Sequence, residues 1–157
     1  MTADPRFMRR AIELARIGMI SGAGGPFGAV VVKDGEVVGE GHNRVVADND
    51  PTAHGEIVAI RRACETLKWF SLEGCEIYTT GEPCPMCLGA IHWARIGRIY
   101  YGFSISDAAT AGFDDREFYR QFALPPGERQ VSSSQLAGEE AELLLGEYAA
   151  LPERVAY

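Results

Sequence analysis

Residues 75 to 103 read "CEIYTTGEPCPMCLGAIHWARIGRIYYGF". Two β-rich runs, "CEIYTT" and "RIYYGF", flank a segment from about Cys84 to Arg95 that reads as a helix opened by Pro85. Strand, helix and strand in succession predict parallel pairing in a helix-covered sheet. The same stretch holds Cys84 and Cys87, each preceded closely by a proline, in a chain with only 4 cysteines. Two thiolates cannot complete a metal site, so further ligands must come from elsewhere.

Upstream, Phe7, Met8, Ala11, Ile12, Leu14 and Ala15 recur at helical spacing between Arg6 and Ser21, with Asp4 as N-cap and Pro5 in the first turn. "FGAVVV" and "VVGEGHN" flank "KDGE", which predicts a hairpin with an Asp-Gly turn. Residues 53 to 67 carry Ile57, Ile60, Cys64 and Leu67 as the stripe of an amphipathic helix. Downstream, "SISDAATAGFDD" reads as a loop, "DREFYRQF" as a short helix, and "PPGERQ" as a break before a last strand. Residues 138 to 150 predict an acidic helix.

Length and composition are compatible with this plan. A chain of 157 residues, 46% hydrophobic and 24% charged, suits one domain around one core. The longest apolar runs fall short of the roughly 20 residues that span a bilayer. "MTADPRFMRR" lacks a signal peptide's apolar segment, so a cytoplasmic location is expected, where Cys-x-x-Cys indicates a metal or redox site. A net charge of -7 disfavours nucleic acid as a partner.

Cys64 and Cys75 stand singly, so the missing ligand is sought in "DPTAHGE", where His54 opens a helix and Glu56 follows two residues later. His54, Cys84 and Cys87 then hold Zn²⁺ with two thiolates and a neutral imidazole, leaving a fourth position for water. At mid-helix, His54 and Glu56 would point about 200° apart; at the first turn both can reach the end of the axis. There Glu56 can take a proton from the zinc-bound water and pass it to a leaving group. His-x-Glu with Pro-Cys-x-x-Cys is the pattern of zinc deaminases acting on nucleobases. His42 and His92 are expected to be structural.

With these residues the chain resembles the cytidine-deaminase-like superfamily, and within it the bacterial guanine deaminases. "GGPFGAVVVKDG", "GHN", "NDPTAHGE", "EPCPMCLGAIHWAR", "DAATAGFDD" and the terminal tyrosine follow that family's order over nearly the whole chain. The resemblance implies a three-layer α/β/α fold with a mixed five-stranded sheet, in a single domain of residues 1 to 157. It implies guanine as the substrate, a small-molecule nucleobase hydrolysed to xanthine and ammonia. Zinc hydroxide would be the nucleophile and Glu56 the proton shuttle.

The resemblance also implies that Asn43 hydrogen-bonds the purine and that Phe27 and Trp93 pack near its ring. Asp115 would contact its amidine edge and help to move protons. A homodimer is implied, its C-terminal segment of about 135 to 157 crossing to the partner and placing Tyr157 in the other site. From the residues alone, Phe27 and Trp93 read equally as core, Asn43 as a strand-end residue and Asp115 as part of a helix cap. Gly55 stands where most relatives have alanine, and Gly81 replaces a larger residue; both departures bear on base selectivity. The alternatives are cytosine, guanosine, an aminotriazine or tRNA adenosine as substrate, or a zinc-stabilised module without activity.

Overall fold

A computed structural model of the chain describes residues 3–155 and 157. Its contacts fall into two compact units, the first running to Glu117 and the second Phe118–Tyr157.

The first unit opens with α1, Pro5–Ile20. Asp4 caps it by accepting from the Arg6 amide, and Pro5 occupies the first turn, as the sequence predicts. Phe7, Ala11, Leu14, Ala15 and Gly18 form its buried stripe. The chain then makes a hairpin of β1, Gly28–Lys33, and β2, Glu36–His42. Asp34 and Gly35 both take positive φ, 51° and 82°, as the two-residue turn matching strand twist requires.

Next come α2, Gly55–Leu67, then β3, Cys75–Gly81, α3, Pro85–Trp93, and β4, Arg98–Phe103. The sheet order is β2-β1-β3-β4. β1 pairs antiparallel with both β2 and β3, while β3 and β4 are parallel across the α3 crossover. The sheet is therefore mixed, and it has four strands among the described residues rather than the expected five.

Alternation along β1 divides the core. Val30 and Val32 face α1 with Phe7, Ala11, Leu14 and Tyr78, whereas Ala29 and Val31 join Ala59, Ala63, Ile77 and Ile91 on the side of α2 and α3. Helices thus cover both faces of the sheet. Fully buried Ile77 alone contributes about 2–3 kcal/mol of hydrophobic stabilisation. β2 approaches α2 more closely than side chains allow: a Cβ on Gly41 would lie 2.5 Å from the Gly55 carbonyl oxygen and 2.7 Å from the Ala59 nitrogen. This contact positions the first turn of α2.

"SISDAATAGFDD" is not all loop, for Ile105–Thr110 forms α4. Ser104 and Asp107 close a reciprocal capping box at its start. Arg116–Ala123 forms α5, the short helix expected from "DREFYRQF". In the second unit a 3-10 turn, Pro126–Glu128, precedes α6, Gly138–Ala150. No strand follows "PPGERQ" among the described residues, which removes the expected fifth strand. The Ser132–Ser134 hydroxyls offer the backbone local partners that compete with a ladder.

Candidate metal centre

Two helix N-termini meet at the site. His54 is the N-cap of α2 and Cys84 the N-cap of α3, both with extended backbone. Pro85 accounts for the second: the residue before a proline is pushed out of the helical region, and proline itself is tolerated in the first turn. The Cys84 sulfur accepts from the Cys87 amide at 3.5 Å, one turn on. Free amides and helix dipoles therefore face both sulfurs, and they favour thiolates.

The His54 Nδ1 lies 3.6 Å from the Cys84 Sγ and 3.4 Å from the Cys87 Sγ. Tetrahedral zinc with bonds of about 2.3 Å to sulfur and 2.0–2.1 Å to nitrogen requires N···S edges of about 3.6 Å. The three donors therefore fit one zinc ion, and they form one group whose ligand atoms all lie within 4.8 Å of one another. Their proton sharing has the same pattern. The Cys87 sulfhydryl beside it holds Cys84 down to about 4, with His54 adding to the effect against burial. Cys87 is pushed far up by that sharing and by burial, and His54 is raised chiefly by its bond to Cys84.

Glu56 sits in the first turn of α2, only 6% exposed. Burial raises its carboxyl above the usual range, and the neighbouring Cys84 thiolate reinforces the shift. Asp115 is half-buried, and its Oδ1 is inaccessible without a hydrogen-bond partner. Burial raises its carboxyl first and the Cys84 thiolate second, which places Asp115 within electrostatic reach of the ligands. An inaccessible acceptor without a donor is destabilising unless a ligand satisfies it.

Asn43 is buried, its amide hydrogen-bonded to the Phe27 carbonyl at 2.8 Å and its Oδ1 accepting from Val45 at 3.1 Å. Phe27 packs edge-on against Phe103 and Phe113, with centroids 5.8 and 4.9 Å away. The structure thus gathers His54, Cys84, Cys87, Glu56 and Asp115, with Phe27 adjoining both Gly55 and Asn43. Trp93 is not drawn in to the same degree: it ends α3, 66% exposed, about 13 Å along the axis from Cys84. Tyr157 belongs to the second unit and is exposed. His42 bonds the Asn43 carbonyl at 3.0 Å and packs against Gly18, outside the ligand group.

Sequence reading missed Thr80. Its hydroxyl accepts from the Gly28 amide at 3.1 Å and donates to the Pro26 carbonyl at 3.2 Å, so it clasps the backbone on both sides of Phe27. No local signal marks a partner more than fifty residues away. Phe103 was missed for the same reason. An apolar hollow of about 410 Å³ lies between α1 and the ends of β3 and β4, lined by Met8, Ile12, Met19, Pro26 and Phe103 among others. It contains none of the metal-ligating residues.

The zinc-binding region of cytidine and deoxycytidylate deaminases matches residues 1–103. The chain belongs to this deaminase family. It is 51% identical to a guanine deaminase of Bacillus subtilis over 130 residues, 83% of either chain. The X-ray structure of guanine deaminase from Bacillus subtilis superposes with a TM-score of 0.95 at 44% identity, covering 99% of both chains. A tRNA-specific adenosine deaminase of Haemophilus influenzae is 36% identical over 142 residues, 84% of this chain and 79% of that one. These likenesses agree with the three-layer fold and with a zinc centre. No helix among the described residues is long and apolar enough to cross a membrane.

Proposed function

We propose that the chain is a zinc-dependent hydrolase that converts guanine and water to xanthine and ammonia. The observation that carries this reading is the grouping of His54, Cys84 and Cys87 at two converging helix ends, with buried Glu56 one residue beyond Gly55. Held by these three side chains, zinc supplies Lewis acidity that makes water nucleophilic near neutral pH.

The chain's own residues do the rest. Glu56, its carboxyl raised toward neutrality by burial, takes the proton of the attacking water and delivers it to the departing amino group. Asp115 turns its unpartnered oxygen to the N–H groups of guanine's amidine edge, which adenine lacks at the ring position. Asn43 has its Oδ1 engaged by Val45, leaving its amide N–H₂ to donate to a base acceptor. Phe27 offers a ring edge or face to the planar purine, and Trp93 is assigned to the same pocket.

We infer a single deaminase domain that acts as a cytoplasmic homodimer, the segment from about 135 to 157 exchanged and Tyr157 reaching the partner's site. Support comes from α6, where Leu143, Leu144 and Leu145 are all 65–69% exposed, a run of apolar surface that association would bury. An ammonia-release panel of guanine, guanosine, cytosine, an aminotriazine and a tRNA anticodon stem tests the substrate. Zinc-dependent release from guanine in excess of the others is expected; no release from guanine overturns the reading. Light scattering should give twice the monomer mass.

A further inference from the structure

Gly81 and Phe103 are paired in the parallel register of β3 and β4, so both point to one face of the sheet. That face is the one carrying α2 and α3, since Ile77, in phase with Gly81, packs there. The ring of Phe103 occupies the place of a side chain at 81: a Cβ on Gly81 would lie 2.5 Å from its Cε2 and 3.0 Å from its Cζ. Phe103 in turn meets Phe27 edge-on. Phe27 is therefore fixed from several sides. Its carbonyl accepts from Asn43, its flanking backbone is clasped by Thr80, and a Cβ on Gly55 would come 3.0 Å from its carbonyl oxygen. A Cβ on Gly25 would crowd the Phe27 and Phe113 rings at 3.0 and 2.9 Å.

We propose that Phe103 is a positioning residue for the base-binding wall: seated in the volume vacated at Gly81, its ring braces Phe27 and sets the width of the pocket beside the metal ligands. The inference rests on the proposed function, and it gives the missing side chain at Gly81 a role as the seat of the Phe103 ring. Phe103 is only half-buried at the end of β4, so its ring can be removed without opening the core of the sheet, and the fold can survive. The backbone of Phe103 is held separately, its carbonyl accepting from the Glu82 amide at 2.8 Å.

The test is a double-mutant cycle of Gly81→Ala and Phe103→Ala, with Phe103→Leu as the conservative variant. Steady-state kinetics are run on guanine, or on whichever base of the panel the wild type turns over fastest, and zinc content and unfolding temperature are measured in parallel. Each single substitution is expected to raise KM about three- to tenfold, the worth of one edge-to-face ring contact, with kcat reduced less than KM rises. The double variant is expected to have a lower KM than Gly81→Ala alone, because the added methyl then meets no ring, and Phe103→Leu should restore most of the wild-type KM. Zinc content should stay at the wild-type level throughout. Additive KM effects in the double variant, or single variants that lower kcat alone, overturn the proposal. A wild type silent toward guanine but active on another base overturns the guanine reading instead, and the cycle is still read on that base. Should no base react, coupling is read in the unfolding temperature, and additivity there also overturns it.

Discussion

Replacing Gly41 with alanine should damage the site from behind. The new Cβ would stand 2.5 Å from the Gly55 carbonyl oxygen, 2.7 Å from the Ala59 nitrogen and 2.8 Å from the Val58 Cβ, whereas ordinary contact begins at 3.4 Å. Two of these neighbours are backbone, so no rotamer change relieves the clash. Helix α2 must retreat from β2 by about 0.9 Å. Overpacking of this kind costs about 1–3 kcal/mol, or about 3–9 °C in unfolding temperature for a chain of this size. The retreat also carries His54 and Glu56, while Cys84 and Cys87 stay on α3. A misplacement near 1 Å is worth up to about 100-fold in kcat, and zinc should bind more weakly because one ligand of three has moved. The assay is ammonia release with zinc content and calorimetry on the same preparation. Gly89→Ala serves as the contrast: that glycine lies inside α3 with nothing within 4 Å of an added Cβ, so alanine should stabilise by about 1 kcal/mol. Unchanged kcat and unfolding temperature in Gly41→Ala would refute the reasoning.

Glu56→Gln should keep its zinc and lose about 10²- to 10⁴-fold in turnover, with near-normal turnover excluding the shuttle. Because burial raises the Glu56 carboxyl above 4.5, its contribution to stability is complete below the unfolded value and is lost as pH rises through the folded one. Metal-stripped Glu56→Gln should therefore gain on the wild type in unfolding temperature as pH rises, and a gap independent of pH contradicts this. Cys87→Ser should release zinc, measured by atomic emission, because a hydroxyl is a far poorer zinc ligand than a thiolate. Glu40 accepts from Arg10 at 2.6 and 2.8 Å, which holds its carboxyl down. Its stabilisation is present above the unfolded value and lost as pH falls through the folded one, so Glu40→Gln should destabilise by less than about 1 kcal/mol at pH 7 and by less still at low pH.

The metal centre was legible because its residues are tied to local structure. Pro85 dictates an extended Cys84 and a helix after it, and "TAHGE" starts the next helix up from the same end, so the ligands could be placed before any fold was known. The Asp34-Gly35 turn and the apolar stripe of α1 were readable for the same reason. What failed was non-local or weakly patterned. The antiparallel pairing of β1 with β3 joins residues far apart in the chain and no local signal announced it, whereas the α3 crossover announced the parallel pairing of β3 with β4. Helix α4 carried a usable signal in Ser104-x-x-Asp107, but Gly112 and the small residues around it suggested a loop. The strand expected after "PPGERQ" is absent from a serine-rich stretch that lacks alternation. The Phe103–Phe27 contact and the Thr80 clasp depend on the sheet register, which no local pattern encodes.

The shared volume of Gly81 and Phe103 constrains the order in which the two positions can change. A side chain added at buried Gly81 while the ring stays would press into it, whereas shrinking Phe103 first leaves a gap that the added side chain can fill. The passable order is contraction before expansion. Descendants halted midway should have glycine at 81 and a small residue at 103, with a looser pocket and a broader choice of base.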